Sequence, residues 1–225
     1  MNQATLSPFI SYPKQAAFGR VLPKNKIYEH SGAAPSVREM FVRQVEQIVW
    51  QYKLAPETIN LASKPGVPEL QIFAIQLKTP ALNHEVLRCI DGAVQFPIIF
   101  ELTFEEKTQV VAAFKRPSES DSNRWVVSDY FSNQWMPTDG ERVAMPLALD
   151  LGVLYEQLLQ RLIPLTLRQN EALAELVTRF ERLRVKENEV QKITSKLAKE
   201  KQFNRKVEIN AQLRAIRQEL ENLTN

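Results

Sequence analysis

The run Glu69-Leu70-Gln71-Ile72-Phe73-Ala74-Ile75-Gln76-Leu77-Lys78 is the most strand-like stretch in the chain. At period two it places Leu70, Ile72 and Ala74 on one face and Phe73, Ile75 and Leu77 on the other, so both faces are apolar. A strand that must bury both sides belongs inside a sheet with a layer over each face. It is therefore expected to be the central strand of the fold.

The flanking segments are read outward from it. Upstream, Pro35 is followed by Ser36-Val37-Arg38-Glu39, which reads as a capping box. Val37, Phe41, Val45, Ile48 and Tyr52 then recur at helical spacing and predict a helix ending near Lys53. The segment from Ala55 to Pro68, with Pro56, Pro65, Gly66 and Pro68, reads as a long turn-rich connection. Residues 1–30 carry Pro8, Pro13 and Pro23 among scattered apolar residues and read as an irregular arm. Downstream, Asn83 is placed to cap a short helix running to Ala93, with Val86, Leu87 and Ile90 facing inward. Residues 96–103 and 107–115 read as a hairpin around Phe104-Glu105-Glu106. After a polar loop at 117–123, Trp125-Val126-Val127 reads as an edge strand, followed by an irregular aromatic segment. Pro146 is expected to open a helix with Leu151, Leu154, Tyr155, Leu158, Leu159, Leu162 and Ile163 on a broad apolar face, interrupted at Pro164.

Beyond Pro164 the composition shifts to a charged helical sequence without Gly or Pro. Leu176, Phe180, Leu183, Val190, Ile193 and Leu197 recur three and four apart with gaps, and Leu213, Ile216, Leu220 and Leu223 resume the pattern. Residues 198–206 between them are nearly all polar, so the seam either runs on as a coiled coil or folds back with Asn204 capping a second helix. The fold expected is α+β, a mixed or antiparallel sheet covered by helices and followed by a helical coiled-coil or hairpin tail. Its divisions are an arm at 1–30, an α+β domain at 31–146 and a helical assembly region at 147–225.

A chain of 225 residues with 44% hydrophobic content can bury a substantial core. The lone Cys89 precludes an internal disulfide framework and fits a reducing cytosol. No basic segment leads into an apolar run at the N-terminus, and no window approaches 18 uninterrupted apolar residues. A cytoplasmic protein with no membrane partner is expected. Of the net charge of +3, residues 176–225 supply +5, from 12 Lys/Arg against 7 Asp/Glu, which leaves −2 for the remainder.

His30 and His84 lie 54 positions apart, and no CxxC or HExxH spacing occurs, so no metal centre is expected. Neither GxxxxGK[ST] nor GxGxxG is present, and no cofactor is expected. The sharpest enzymatic candidate is a nuclease of the restriction type, with Glu46 and Glu69 as hard-oxygen ligands to a divalent metal and Lys78 of Gln76-Leu77-Lys78 polarising the attacked phosphate. Its spacing is poor, because no strand carrying an Asp lies between the first helix and Glu69. Trp125, Tyr130, Phe131 and Trp135, with Arg116 and Arg124, form either a stacking platform for nucleic acid or one closed edge of the core. Lys24, Lys26, Arg205 and Lys206 are further candidates for phosphate contact, against the plainer reading of solvated surface residues.

Several stretches carry a resemblance. Leu22-Pro23-Lys24-Asn25-Lys26, the segment Trp50 to Asn60, Glu69 to Phe73 with Leu77-Lys78, Ile90-Asp91-Gly92-Ala93, Ala113-Phe114-Lys115 and Phe203 to Asn210 resemble a bacterial family catalogued as the domain of unknown function DUF4391. The resemblance covers most of the chain. It implies a gene beside helicases and site-specific DNA methyltransferases in restriction-like defence loci, and it offers no catalytic residues to carry over. The function expected is a non-enzymatic accessory subunit of an antiviral defence system. Assembly would run through Leu176, Phe180, Leu183, Val190, Leu197, Leu213, Ile216, Leu220 and Leu223, toward a second copy or a helicase or methyltransferase partner, with DNA contact from basic residues. The alternative is a divergent metal-dependent DNA nuclease.

Overall fold

The computed structural model describes residues 7–118, 120–121 and 124–224. Its elements in order are β1 (Ile10–Ser11), β2 (Ala17–Val21), α1 (Lys24–Ser31), α2 (Pro35–Gln44), β3 (Val45–Leu54), α3 (Pro56–Ile59), β4 (Leu70–Leu77), α4 (His84–Ala93), β5 (Ile98–Phe104), β6 (Lys107–Pro117), β7 (Trp125–Ser132), β8 (Met136–Pro137), β9 (Val143–Ala144), α5 (Leu151–Gln160), α6 (Leu173–Lys199) and α7 (Phe203–Thr224). The sheet runs β2-β3-β4-β5-β6-β7, with β8 paired to β6. Every pairing in it is antiparallel except β4 with β5, where α4 provides the crossover that a parallel pair needs.

β4 occupies the interior position its composition predicts. Phe73, Ile75 and Leu77 join Ile27, Phe41, Val86, Leu87 and Ile90 in one core beneath α1, α2 and α4. Leu70 and Ile72, on the other face, are just as buried. On β6, Ala113 belongs to the α4-side core, whereas its neighbour Phe114 stacks on Tyr155 of α5 at 6.3 Å, so α5 supplies a layer on the opposite face.

Four expectations are corrected. The first helix stops at Gln44, and Val45–Leu54 is a strand. Val45, Ile48 and Tyr52 keep helical spacing, but the run is rich in β-branched and aromatic residues, and pairing with β4 along its length decides the conformation. Ala34 stands at the N-cap without a side-chain bond and Pro35 opens the helix, so the Ser36–Glu39 box does not form. The arm is largely regular: β2 extends the sheet edge along β3, α1 caps the core, and β1 pairs with β9. Its prolines sit at boundaries, Pro23 immediately before α1 and Pro13 before a 3-10 turn. Residues 1–6 of that arm, and Glu119, Ser122 and Asn123 of the polar loop, lie outside the described residues. Finally, the Pro146 helix begins at Leu151, because Asp150 accepts the backbone N–H of Val153 at 2.8 Å and makes the stronger N-cap.

The chain divides into two compact units, Met1–Pro164 and Leu165–Asn225. The first of these includes α5. Within the second unit α6 and α7 are antiparallel, as Lys186 Nζ lies 2.7 Å from Glu219 Oε2 and Arg179 reaches Leu223 O. The polar stretch is thus a turn, and the tail is a helical hairpin. At that turn the Glu200 carboxylate accepts from Lys201 N and Gln202 N, while Asn204 falls inside the first turn of α7.

Candidate functional site

The chain passes from α2 to β3 with no connecting residue, so the last carbonyls of the helix need partners from elsewhere. Lys24 Nζ donates to Val45 O at 2.5 Å and Phe41 O at 3.5 Å. Lys78 Nζ donates to Val42 O at 3.1 Å and lies 3.7 Å from Glu46 Oε2. Both ammonium groups also complement the negative end of the helix dipole. Burial, with Lys78 nearby, lowers the Lys24 pKa. Lys24, Glu46, Gln47 and Gln76 line an open cleft of about 620 Å3. Glu69 immediately precedes the far end of β4, nine residues from Lys78 and roughly 30 Å away at strand rise, where it meets Lys53 at 3.3 Å and accepts from Gln71 Nε2 at 2.6 Å. The structure therefore brings Glu46 and Lys78 together and leaves Glu69 apart. Among the described residues no group of three or more His, Cys, Asp and Glu side chains is placed to hold a metal ion.

A second constellation escaped the sequence reading. The Lys115 and Asp91 side chains are 1% and 3% exposed. Lys115 Nζ donates to Asp91 O at 2.6 Å and to Val94 O, and lies 3.5 Å from Asp91 Oδ1. Tyr130 donates its hydroxyl to Asp91 Oδ2 at 2.5 Å. The Tyr155 hydroxyl donates to Ala113 O and accepts from Lys115 N, past the point where the β5–β6 ladder ends at Ile99 and Ala112. Burial pushes the Asp91 carboxyl up and the Lys115 ammonium down, and their mutual attraction offsets part of each shift. Burial also raises both tyrosines above the ordinary phenol value. The lysine satisfies the C-terminal carbonyls of α4, and the tyrosines fasten that end to β6, β7 and α5. Because each group is spent on another, the cluster locks the layers together. A lysine at the end of a strand pattern gives no sign of this role, since its acceptors come from a helix distant in sequence.

The aromatic candidates do not share a platform. Tyr130 and Phe131 are buried. Trp125 is half-buried, with Lys115 Nζ 5.7 Å from its ring, and Arg116 and Arg124 lie at the same end of β7. Trp135 packs against the core beyond the other end of the strand, more than about 23 Å from Trp125 at strand rise. Lys26 is paired with Glu29 at 3.1 Å.

In the hairpin, Leu176, Phe180, Leu183, Leu213 and Ile216 are buried and form the expected seam, joined by Ile209. Val190, Leu197, Leu220 and Leu223 are half-buried. Val185 and Leu223 line a shallow groove of about 540 Å3 on the hairpin, and Val190 and Leu220 line another of about 460 Å3. Arg179 organises the base, donating to both Glu171 oxygens, to Thr166 O and to Leu223 O. Its guanidinium pulls the Glu171 carboxyl down to about 2. Arg205 and Lys206 are exposed in the first turn of α7.

These features define an α+β protein with a mixed sheet and a separately compact helical hairpin. The family model described as Domain of unknown function (DUF4391) matches residues 10–220, and the chain belongs to that family. No curated protein and no solved structure matches it. Among the described residues no helix is long and apolar enough to cross a membrane.

Proposed function

We propose that this protein is a non-enzymatic assembly subunit whose hairpin seam pairs with helices of a second copy. As a member of a restriction-like antiviral defence system, it would join a helicase or DNA methyltransferase of the same locus and contribute contact with DNA. The observation that supports this reading is the partial closure of the seam. Two antiparallel helices cover one side of each other, and the grooves beside them keep Val190, Leu220 and Leu223 half-exposed and Val185 64% exposed. Further helices laid in those grooves complete a bundle of the kind in which such residues are fully buried. The reading is tested on the full chain by replacing Val185 and Val190 with lysine. Loss of self-association and of partner capture with helicity retained supports it, and unchanged association refutes it.

The nuclease alternative draws on the Glu46–Lys78 approach alone. It requires divalent-metal-dependent DNA cleavage that Lys78→Ala abolishes, and the absence of cleavage over linear, nicked and single-stranded substrates would remove it.

A further inference from the structure

Folding the tail into a hairpin concentrates its charge at one end. Residues 192–206 span the end of α6, the turn and the start of α7, and hold Lys192, Lys196, Lys199, Lys201, Arg205 and Lys206 against Glu200 alone. Residues 165–191 carry five cations against five carboxylates, and residues 207–224 carry two against three. The net positive charge of the hairpin therefore resides at its tip. Glu200 is itself engaged, accepting from Lys201 N at 2.8 Å and Gln202 N at 2.9 Å. Among the described residues none of the six cations is in a salt bridge, whereas Lys186, lower on α6, bridges Glu189 and Glu219. Lys192, Lys196 and Lys199 follow at spacings of four and three, which lines them along one face of α6 over about 10 Å. Lys192, Ser195, Lys196, Lys199 and Glu200 surround a shallow hollow of about 410 Å3, and Phe203 stands 78% exposed at the turn.

From this arrangement we infer that the tip of the hairpin is a binding surface for the phosphate backbone of nucleic acid, with the lysine row of α6 and the Arg205-Lys206 pair of α7 as its phosphate contacts. The inference deepens the DNA-contact part of the function proposed above by giving it a location. Six cations with a single carboxylate, Glu200, among them suit a partner with densely spaced charge, and a DNA duplex carries about one negative charge per 1.7 Å of axis. A helix that lies on a lipid surface needs a continuous apolar face, while the large apolar side chains exposed near the turn are Phe203 and Val207. Phe203 offers a ring on which a base of a single strand can stack.

The test is fluorescence anisotropy of the full chain with a fluorescein-labelled duplex across a potassium chloride series. Binding is expected to weaken linearly in log–log form, and Lys192→Gln/Lys196→Gln/Lys199→Gln should lower the slope by about 3 and weaken binding about tenfold or more at low salt. Lys107→Gln, an exposed lysine of the other unit, should change neither. Circular dichroism confirms that the triple variant remains helical, and its native mass separates this result from the assembly reading, because the tip lysines lie outside the grooves that hold Val185 and Val190. Equal affinity and slope for the triple variant, or binding to phosphatidylserine vesicles with none to the duplex, overturns the inference.

Discussion

Arg179 holds Glu171 from two directions, with Nε 2.7 Å from Oε1 and Nη2 2.8 Å from Oε2. The same guanidinium donates to Thr166 O and Leu223 O, so one side chain ties the approach to α6, the helix itself and the end of α7. Such planar two-pronged geometry is what distinguishes arginine from lysine at this position.

This pair makes the hairpin sensitive to acid. The Glu171 carboxyl falls from an ordinary 4.5 to about 2, so its stabilisation is present above the unfolded value and is lost as pH falls from about 4.5 through 2. A shift of that size corresponds to at most about 3 kcal/mol. Urea unfolding of helical signal at about pH 6 and about pH 3 should show a drop that Glu171→Gln largely removes. An equal acid loss in the variant would place the sensitivity elsewhere.

The Lys115 cluster predicts a large structural effect from a residue with no exposed surface. Lys115→Met leaves the Asp91 carboxylate without its counter-charge and the α4 carbonyls without their lysine donor, and should cost about 3–5 kcal/mol. Tyr130→Phe, which removes one hydrogen bond to the same carboxylate, should cost about 1–3 kcal/mol. The two losses should not add, because both act through Asp91. Equilibrium denaturation of the two single variants and the double variant measures the coupling.

On the sheet domain, Arg142 meets both oxygens of the buried Glu101 at 2.9 and 2.7 Å and also donates to Ile10 O. This links β5 to the strand pair β1–β9. Arg142→Ala should lower stability by about 2 kcal/mol or more, since it leaves a buried carboxylate unpaired. Recovery in Arg142→Ala/Glu101→Gln, read from thermal unfolding, distinguishes an unpaired charge from lost packing.

What could be read in advance follows the range of the interactions. β4 was legible because both its faces are apolar over eight residues, and α4 because Asn83 caps it and accepts from Glu85 N. The hairpin of β5 and β6 was legible from local alternation. β3 was misread because Val45, Ile48 and Tyr52 satisfy a helical period, and only its pairing with β4 settles the conflict. The same dependence hid β2, whose five exposed residues carry no amphipathic signal and whose place is defined by β3. The apolar residues buried in the hairpin declared themselves by periodicity, whereas Lys115, Arg142 and Arg179 act through carbonyls and carboxylates supplied by distant segments.

The direct measurement of the assembly proposal is the native mass of the full chain by light scattering, compared with Val185→Lys/Val190→Lys at matched concentration. A dimer or larger species that falls to the 25.9 kDa monomer in the variant, with helicity unchanged, is the result expected. A monomer for the unaltered chain, or an oligomer untouched by the two lysines, would contradict self-assembly through the hairpin.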